Sequence, residues 1–359
     1  MEDLTPNLPD RARRARDHVA SVKRAVDASL ERHLQAAERR AAGAGRSAQV
    51  LVESIAALVR RGGKRLRPAL TIAAYEACGG ADDRRAALID VGCAWELLQA
   101  YFLVHDDWMD GDVTRRGGPT VHVALTEHHR DAQLGAASAI LAGDHACALA
   151  HRVLLECDAP AELVREAAAA FARVHEEVVL GQSIDLTLDA ADAAAVERMH
   201  ALKTGSYTVR GPLEIGAIFA RAGGDARAAL DRFARPIGVA FQLRDDLLGT
   251  FGDANETGKP VGNDLRARKR TALVVEALAR APHDDAGRLQ AMMGAGAPSD
   301  DEVAWAMRLI DSSGARRAIE ARLQALVAEA NVALQDGALS RDGAALLGGL
   351  AAFVVDRSS

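Results

Sequence analysis

Apolar residues recur three and four positions apart along almost the whole chain, and no convincing stretch alternates apolar with polar residues as a half-buried strand would. That periodicity favours helices over strands throughout. Composition agrees: 49% of the residues are hydrophobic but only 4% aromatic, so the apolar weight rests on Ala, Leu and Val. Ala and Leu lose little side-chain entropy in a helix. The spacing predicts a charged amphipathic helix from about Pro9 to Ala42, ended near Gly43 and Gly45. Helix-length segments then follow, with breaks at Arg61–Gly63, Gly79–Asp82, Gly117–Pro119, Asp158–Pro160, Gly223–Asp225, Phe251–Gly262 and Gly294–Ser299. No Pro-rich or Ser-rich linker divides the 359 residues, and no short-period repeat is present. The expected fold class is all-α, one large helical bundle over residues 1–359, with about residues 1–8 and 357–359 mobile.

Charge and cysteine content narrow the function classes. The net charge of −6 argues against a general nucleic-acid binder, which needs a basic surface. Cys78, Cys93, Cys147 and Cys157 form no CxxC pair, so free thiols in a reducing cytoplasm are expected. The N-terminus carries no apolar run fit for a secretion signal. The most apolar stretch, around Val91 to Val104, is interrupted by Glu96 and Gln99, so no membrane span is expected.

The most informative stretch is HDDWMDGDVTRRGGPT, His105 to Thr120, which follows the helical run WELLQAYFLV. At about 100° per residue, Asp106 and Asp110 share one face, one turn apart, with Asp107 beside Asp106. Two such carboxylates repel, a cost that a divalent cation between them would explain. Oxygen ligands suit magnesium, and no His or Cys pair points to zinc. Alone, DDxxD would read as a solvated acidic helix end. Arg115 and Arg116 follow at once, and paired guanidiniums donate in bidentate fashion to phosphate oxygens. Asp112 is open to a capping, turn or catalytic role, and His105 reads as a packing residue or one that supports the acids rather than as a ligand.

FQLRDDLLGTFGD, Phe241 to Asp253, repeats the pattern. Asp245 and Asp246 follow Gln242 at helical spacing, and Gly249 stands where a third acid would complete the motif. TGKPVGNDLRARKRT, Thr257 to Thr271, then brings Lys259 and Lys269. The two clusters would form one site if their helices faced each other across a bundle. RGGKRLRP, Arg61 to Pro68, sets Lys64, Arg65 and Arg67 behind a Gly-Gly pair; it is not a Walker A loop, because Arg65 rather than Ser or Thr follows Lys64. Gln99 shares the face of Asp106, two turns earlier. GQSIDL places Gln182 and Asp185 one turn apart in an apolar run, where a buried hydrogen-bonded pair is an equal reading. KTGSY, Lys203 to Tyr207, sets a Gly inside a helical run, a break that would free backbone carbonyls. His128, His129 and His175 lack partners at ligand spacing.

Together these residues resemble the trans-isoprenyl diphosphate synthases of the polyprenyl synthetase family. GGKRLRP, ELLQAYFLVHDDWMDGDVTRRG, GQSIDL, KTGSY, FQLRDD and TGKPVGND appear in that family's order, over about Gly62 to Lys269. The resemblance implies an isoprenoid-synthase-like helical bundle with a central cavity, commonly a homodimer. It implies magnesium, three ions with substrate bound, held by Asp106, Asp110 and Asp245 and supported by Asp107 and Asp246. It makes Arg115, Lys203 and Lys259 the cations that hold an allylic diphosphate, and Lys64, Arg67, Gln99 and Arg116 the isopentenyl diphosphate site. Gln182 and Asp185 would back metal and diphosphate, Lys269 and Phe241 would contact substrate, and Thr204, Gln242 and Tyr207 would face a developing carbocation with oxygen atoms.

The implied reaction is head-to-tail condensation of isopentenyl diphosphate with an allylic diphosphate, dimethylallyl or geranyl, releasing diphosphate. Tyr101 and Phe102 lie five and four residues before Asp106, about one turn back, where bulky rings would floor the pocket early. In the family two aromatics there go with the fifteen-carbon product, so farnesyl diphosphate is expected. The alternatives are a geranylgeranyl diphosphate synthase, a noncatalytic regulatory subunit, which would lose acids from its motifs, and a terpene cyclase, which would lack Lys64, Arg67 and Gln99.

Overall fold

The computed structural model describes residues 8–187, 193–253, 260–294 and 296–355. Lys259 lies outside these residues, as do residues 1–7 and 356–359, which hold nearly all of the ends expected to be mobile. The chain forms α1 (Leu8–Ala44), α2 (Arg46–Arg60), α3 (Leu66–Ala77), α4 (Arg85–Asp110), α5 (Val121–His129), α6 (Ala132–Leu155), α7 (Ala161–Thr187) and α8 (Ala193–His200). A π-helix (Ala201–Arg210) leads into α9 (Gly211–Phe219) and α10 (Gly224–Phe251). Shorter helices follow at Asn263–Arg266, Ala272–Arg280, His283–Gly294, Asp300–Ser312, Ala315–Ala333 and Arg341–Val355. The all-α expectation holds; among the described residues the strands are one antiparallel pair, Thr114–Arg115 with Gly118–Pro119, at the Gly-Gly-Pro turn.

The residues gather into two compact units: Arg16–Phe171 with Ile215–Ala222, and Met1–Ala15 with Ala172–Glu214 and Gly223–Ser359. The first is built around α4, which packs on α6. Leu88, Val91, Ala94, Trp95 and Leu98 of α4 are fully buried, and the Trp95 ring lies 4.7 Å from that of Phe171. Each such Leu contributes about 1.5–3 kcal/mol over leaving it exposed. The α6 residues buried with them include Ala139, Ala142, Ala146 and Ala150, small enough for close helix approach. A Cβ on Gly143 would stand 2.3 Å from Nε2 of His105, so the His105 ring packs over the backbone of α6, as a packing residue should. By length and composition α4 is apolar enough to cross a membrane, but 67% of that window is buried in the protein, the pattern of a core helix. It ends at Gly111, in the left-handed conformation (φ 70°), and the Asp112 N–H donates back to the Asp107 carbonyl at 2.9 Å.

The second unit is centred on α10, packed against the π-helix and the helices Ala315–Ala333 and Arg341–Val355. Leu243 and Leu247 of α10 share a core with Leu265, Leu273, Val274, Met293 and Leu323. KTGSY does not break its helix. The chain continues as the wider π-helix, and Gly205 lies against Gly238, where an added Cβ on Gly238 would come 3.0 Å from the Gly205 Cα. The glycine therefore serves close helix approach, and the widened turn carries Lys203, Thr204 and Tyr207.

Candidate active site

In the first unit the acids of α4 separate by burial. Asp106 and Asp110 are partly exposed on one face, whereas Asp107 points into the protein. Its Oδ1 accepts from Arg115 Nε at 2.8 Å and from Nη2, and Nη2 also donates to Asp112 Oδ2 at 3.1 Å. Burial pushes the Asp107 carboxyl above its usual range, against the pull of Arg115. Its Oδ2 is buried with no hydrogen-bond partner. Asp112 thus takes a bracing role, and Asp107 fixes Arg115 beneath the two outward acids.

The basic residues meet nearby. Arg61 Nη1 donates to the carbonyls of Arg115 (3.1 Å) and Pro119 (2.7 Å), tying the RGGKRLRP loop to the hairpin that carries Arg115 and Arg116. A Cβ on Gly63 would lie 3.3 Å from Arg116 Nη2 and 3.4 Å from Arg65 Nη1, so glycine lets the guanidiniums close on the backbone. Arg65 itself is not available to a ligand. It is buried, and it donates to Glu96 Oε2 at 2.5 Å and to Asp27 Oδ1 at 2.7 Å. Burial and the charges of Arg65, Arg67 and Arg115 press the Arg116 guanidinium below its ordinary value, with Glu96 opposing. Arg116 thus lies within electrostatic reach of Arg65, Arg67 and Arg115, a concentration of positive charge that favours a bound anion. Gln99 is half-buried on α4 one turn after Glu96, and Lys64 is half-buried in the loop.

Two aromatics sit a turn back from the acids. The Tyr101 and Phe102 rings are 5.0 Å apart, Tyr101 meets the His105 ring edge-on at 4.7 Å, and both side chains are half-buried.

In the second unit Lys203 Nζ donates to Asp185 Oδ2 at 2.6 Å, so the GQSIDL and KTGSY motifs meet. Gly181 makes this possible, because a Cβ there would fall 2.4 Å from the Lys203 nitrogen. Gln182 is half-buried beside it, as is Thr204. On α10 Asp245 is partly exposed and Asp246 is 2% exposed. Asp246 accepts from Gln242 Nε2 at 2.8 Å and from the Ala272 N–H at 3.0 Å, and burial pushes its carboxyl up to about 7. Both of its oxygens are committed, so it orients the Gln242 amide, nitrogen inward. Phe241 is buried, and Lys269 lies close enough to bias Asp246 electrostatically.

The partly exposed carboxylates, Asp106 and Asp110 in one unit and Asp245 in the other, are hard oxygen donors. Donors of that kind suit magnesium with phosphate oxygens rather than zinc.

Sequence reasoning did not single out two buried charged groups near the motif residues, Glu96 and His200. His200 is buried within electrostatic reach of Asp185, Lys203 and Asp245. Its imidazole is pushed down to about 4, by burial first and by Lys203, against Asp185, Asp245 and Glu197. Between that value and the ordinary one of about 6.5, the unfolded chain binds the proton and the folded one does not. Stability is therefore intact above about pH 6.5 and falls as pH drops toward 4, by about 2 kcal/mol at pH 5. Urea unfolding at pH 7 and pH 5 checks this: His200→Gln should flatten the pH dependence, and an unchanged slope would remove His200 as its source.

The chain is similar to known proteins along most of its length. The sequence profile of the polyprenyl synthetase family matches residues 48–310. A (2E,6E)-farnesyl diphosphate synthase of Mycobacterium tuberculosis is 38% identical over 304 residues, covering 83% of this chain and 80% of that one. A geranylgeranyl diphosphate synthase of the same organism is 39% identical over 296 residues, covering 79% and 78%. The crystal structure of a geranylgeranyl pyrophosphate synthase from Corynebacterium glutamicum, complexed with isoprenyl diphosphate and magnesium, superimposes with a TM-score of 0.89 at 33% identity, covering 94% of this chain and 98% of that one.

Proposed function

The chain belongs to the polyprenyl synthetase family and is a trans-prenyltransferase that makes prenyl diphosphates, and from that premise we propose that it is a magnesium-dependent farnesyl diphosphate synthase. The observation that carries this reading is in the first unit. Two partly exposed carboxylates, Asp106 and Asp110, share a face of α4, while the same helix supplies Asp107 to hold Arg115 and Glu96 to temper the cluster of Arg67 and Arg116.

Asp106 and Asp110 would ligate two magnesium ions and Asp245 a third. Bound magnesium would offset the negative charge that grows on the diphosphate leaving group. Arg115 and Lys203 hold the allylic diphosphate, each fixed by its own carboxylate, Asp107 or Asp185, so neither must be reorganised when substrate arrives. Lys259 joins them by family likeness. Lys64, Arg67, Gln99 and Arg116 bind isopentenyl diphosphate and aim its double bond. The allylic C–O bond breaks and its electron pair leaves with diphosphate. The isopentenyl double bond then attacks the cationic carbon, and the released diphosphate takes the proton lost from the adduct. Gln242, its nitrogen turned to Asp246, offers its oxygen to the cation, with Thr204 and Tyr207. Gln182, Lys269 and Phe241 complete the substrate contacts. Leu134 and Leu141, exposed two turns apart on α6, support a homodimer by giving that helix an apolar face to bury.

The adjoining Tyr101 and Phe102 rings, 5.0 Å apart and tilted, support a fifteen-carbon product. A twenty-carbon product is the second reading, since relatives of either specificity match this chain. Incubation of labelled isopentenyl diphosphate with dimethylallyl, geranyl and farnesyl diphosphate, with and without magnesium, tests both. Metal-dependent incorporation ending at farnesyl diphosphate is the expected result, with Tyr101→Ala/Phe102→Ala giving longer products. Twenty-carbon product from the wild type, or unchanged length in the variant, would sink the pocket-floor assignment. No incorporation with any primer would sink the enzyme reading.

A further inference from the structure

We propose that Asp264 supplies the third carboxylate of the second acidic motif, in the place that Gly249 leaves without a side chain. In α10, residue 249 is one turn from Asp245 and on its face, so a side chain there would start about 6 Å from the Asp245 Cβ. Gly249 has none. A Cβ built on it would fall 1.9 Å from Oδ2, 2.5 Å from Cγ and 2.9 Å from Oδ1 of Asp264. The carboxylate of Asp264 therefore occupies the volume of the missing side chain. Asp246 does not fill this role, because both of its oxygens are engaged by Gln242 and the Ala272 N–H.

Asp264 is held in this place from both sides. The chain enters its short helix through Gly262 in the left-handed conformation (φ 75°). The next residue, Leu265, is fully buried in the core beside Leu243 and Leu247 of α10. After it, the Lys269 N–H donates to the Asp264 carbonyl at 2.8 Å. An acid fixed over a glycine, one turn from Asp245, recreates from a second segment what DDxxD provides within one helix. Gly249 is then a requirement rather than a defect: any larger residue there would collide with the carboxylate that replaces it.

This inference rests on reading Asp245 as a magnesium ligand, and the test separates the two. Magnesium is titrated calorimetrically in the presence of inorganic diphosphate, with thermal melting run on every protein. Asp264→Ala and the isosteric Asp264→Asn should each weaken magnesium binding by about tenfold or more. Moving the acid, with Asp264→Ala/Gly249→Asp, should restore affinity to within about threefold of wild type, whereas Asp264→Ala/Gly249→Asn, which fills the volume without charge, should not. Gly249→Asp alone should lower the melting temperature, because two carboxylates then compete for one space. Wild-type affinity in Asp264→Asn would overturn the inference alone. Equal rescue by the neutral double variant would also overturn it, reducing Asp264 to packing. Absence of magnesium-dependent diphosphate binding in the wild type would overturn the metal reading and this inference with it.

Discussion

Asp106→Asn is expected to lower kcat/KM by on the order of a thousandfold while leaving the protein as stable as before, or slightly more so. The two effects have one cause. Asp106 and Asp110 stand in the last five residues of α4, where the unpaired carbonyls of the helix end already carry partial negative charge. Each exposed acid there costs about 0.3–1 kcal/mol, and like charges one turn apart add a few tenths more. Asparagine keeps the shape and removes the charge, so the fold is relieved while the proposed magnesium site would lose a ligand. Asp107→Asn should behave differently, because Asp107 is buried against Arg115 and its loss frees a buried guanidinium. Steady-state kinetics across a magnesium titration, paired with urea unfolding, separates these cases. Activity within tenfold of wild type at saturating magnesium would remove Asp106 from the metal site, and a large fall in stability would make its role structural.

Much of this was legible from residue types and spacing. The breaks at Arg61–Gly63, Gly79–Asp82 and Asp158–Pro160 fall between observed helices, and the first helix, expected from Pro9 to Ala42, runs Leu8–Ala44. These boundaries are local, set by glycine, proline and caps such as Ser299, whose backbone N–H donates to Glu302 Oε2 at 2.8 Å. The motif residues could be named because acids and bases a turn apart carry their chemistry in the pattern itself. What escaped was tertiary. Nothing around Glu96 says that Arg65, 31 positions earlier, needs a buried partner. Gly249 reads as a missing acid until Asp264 is seen filling its space. Gly205 reads as a helix breaker by propensity, but a glycine facing Gly238 is selected for close approach, and packing overrode propensity. His200 offered no motif at all, and only its burial among charged groups marks it.

The buried pair that the pattern hid carries the largest expected effect on stability. Glu96→Ala should destabilise the protein by about 3–5 kcal/mol, because it leaves the Arg65 guanidinium buried without its main counter-charge. Arg65 is 4% exposed and Glu96 is 4% exposed, so water cannot replace the lost carboxylate. Burial alone would lower the Arg65 pKa; Glu96 and Asp27 outweigh it and hold the group charged. With Glu96 gone only Asp27 remains, on the solvent side. The damage should also reach substrate. Glu96 opposes the charges of Arg65, Arg67 and Arg115 at Arg116. Arg65 also takes the left-handed backbone (φ 54°) that leads from the Gly-Gly loop into α3. Freed of its anchor, that residue should relax, and Lys64 and Arg67 on either side should lose their aim, raising KM for isopentenyl diphosphate more than for the allylic substrate. Glu96→Gln, which can still accept from Arg65, should lose less stability than Glu96→Ala. Arg65→Met/Glu96→Leu, which removes both charges, should recover most of the stability without restoring KM. Chemical denaturation and separate KM measurements for the two substrates check this. A Glu96→Ala protein within 1 kcal/mol of wild type would show that Asp27 suffices to balance Arg65, and that the loop is held by its backbone alone.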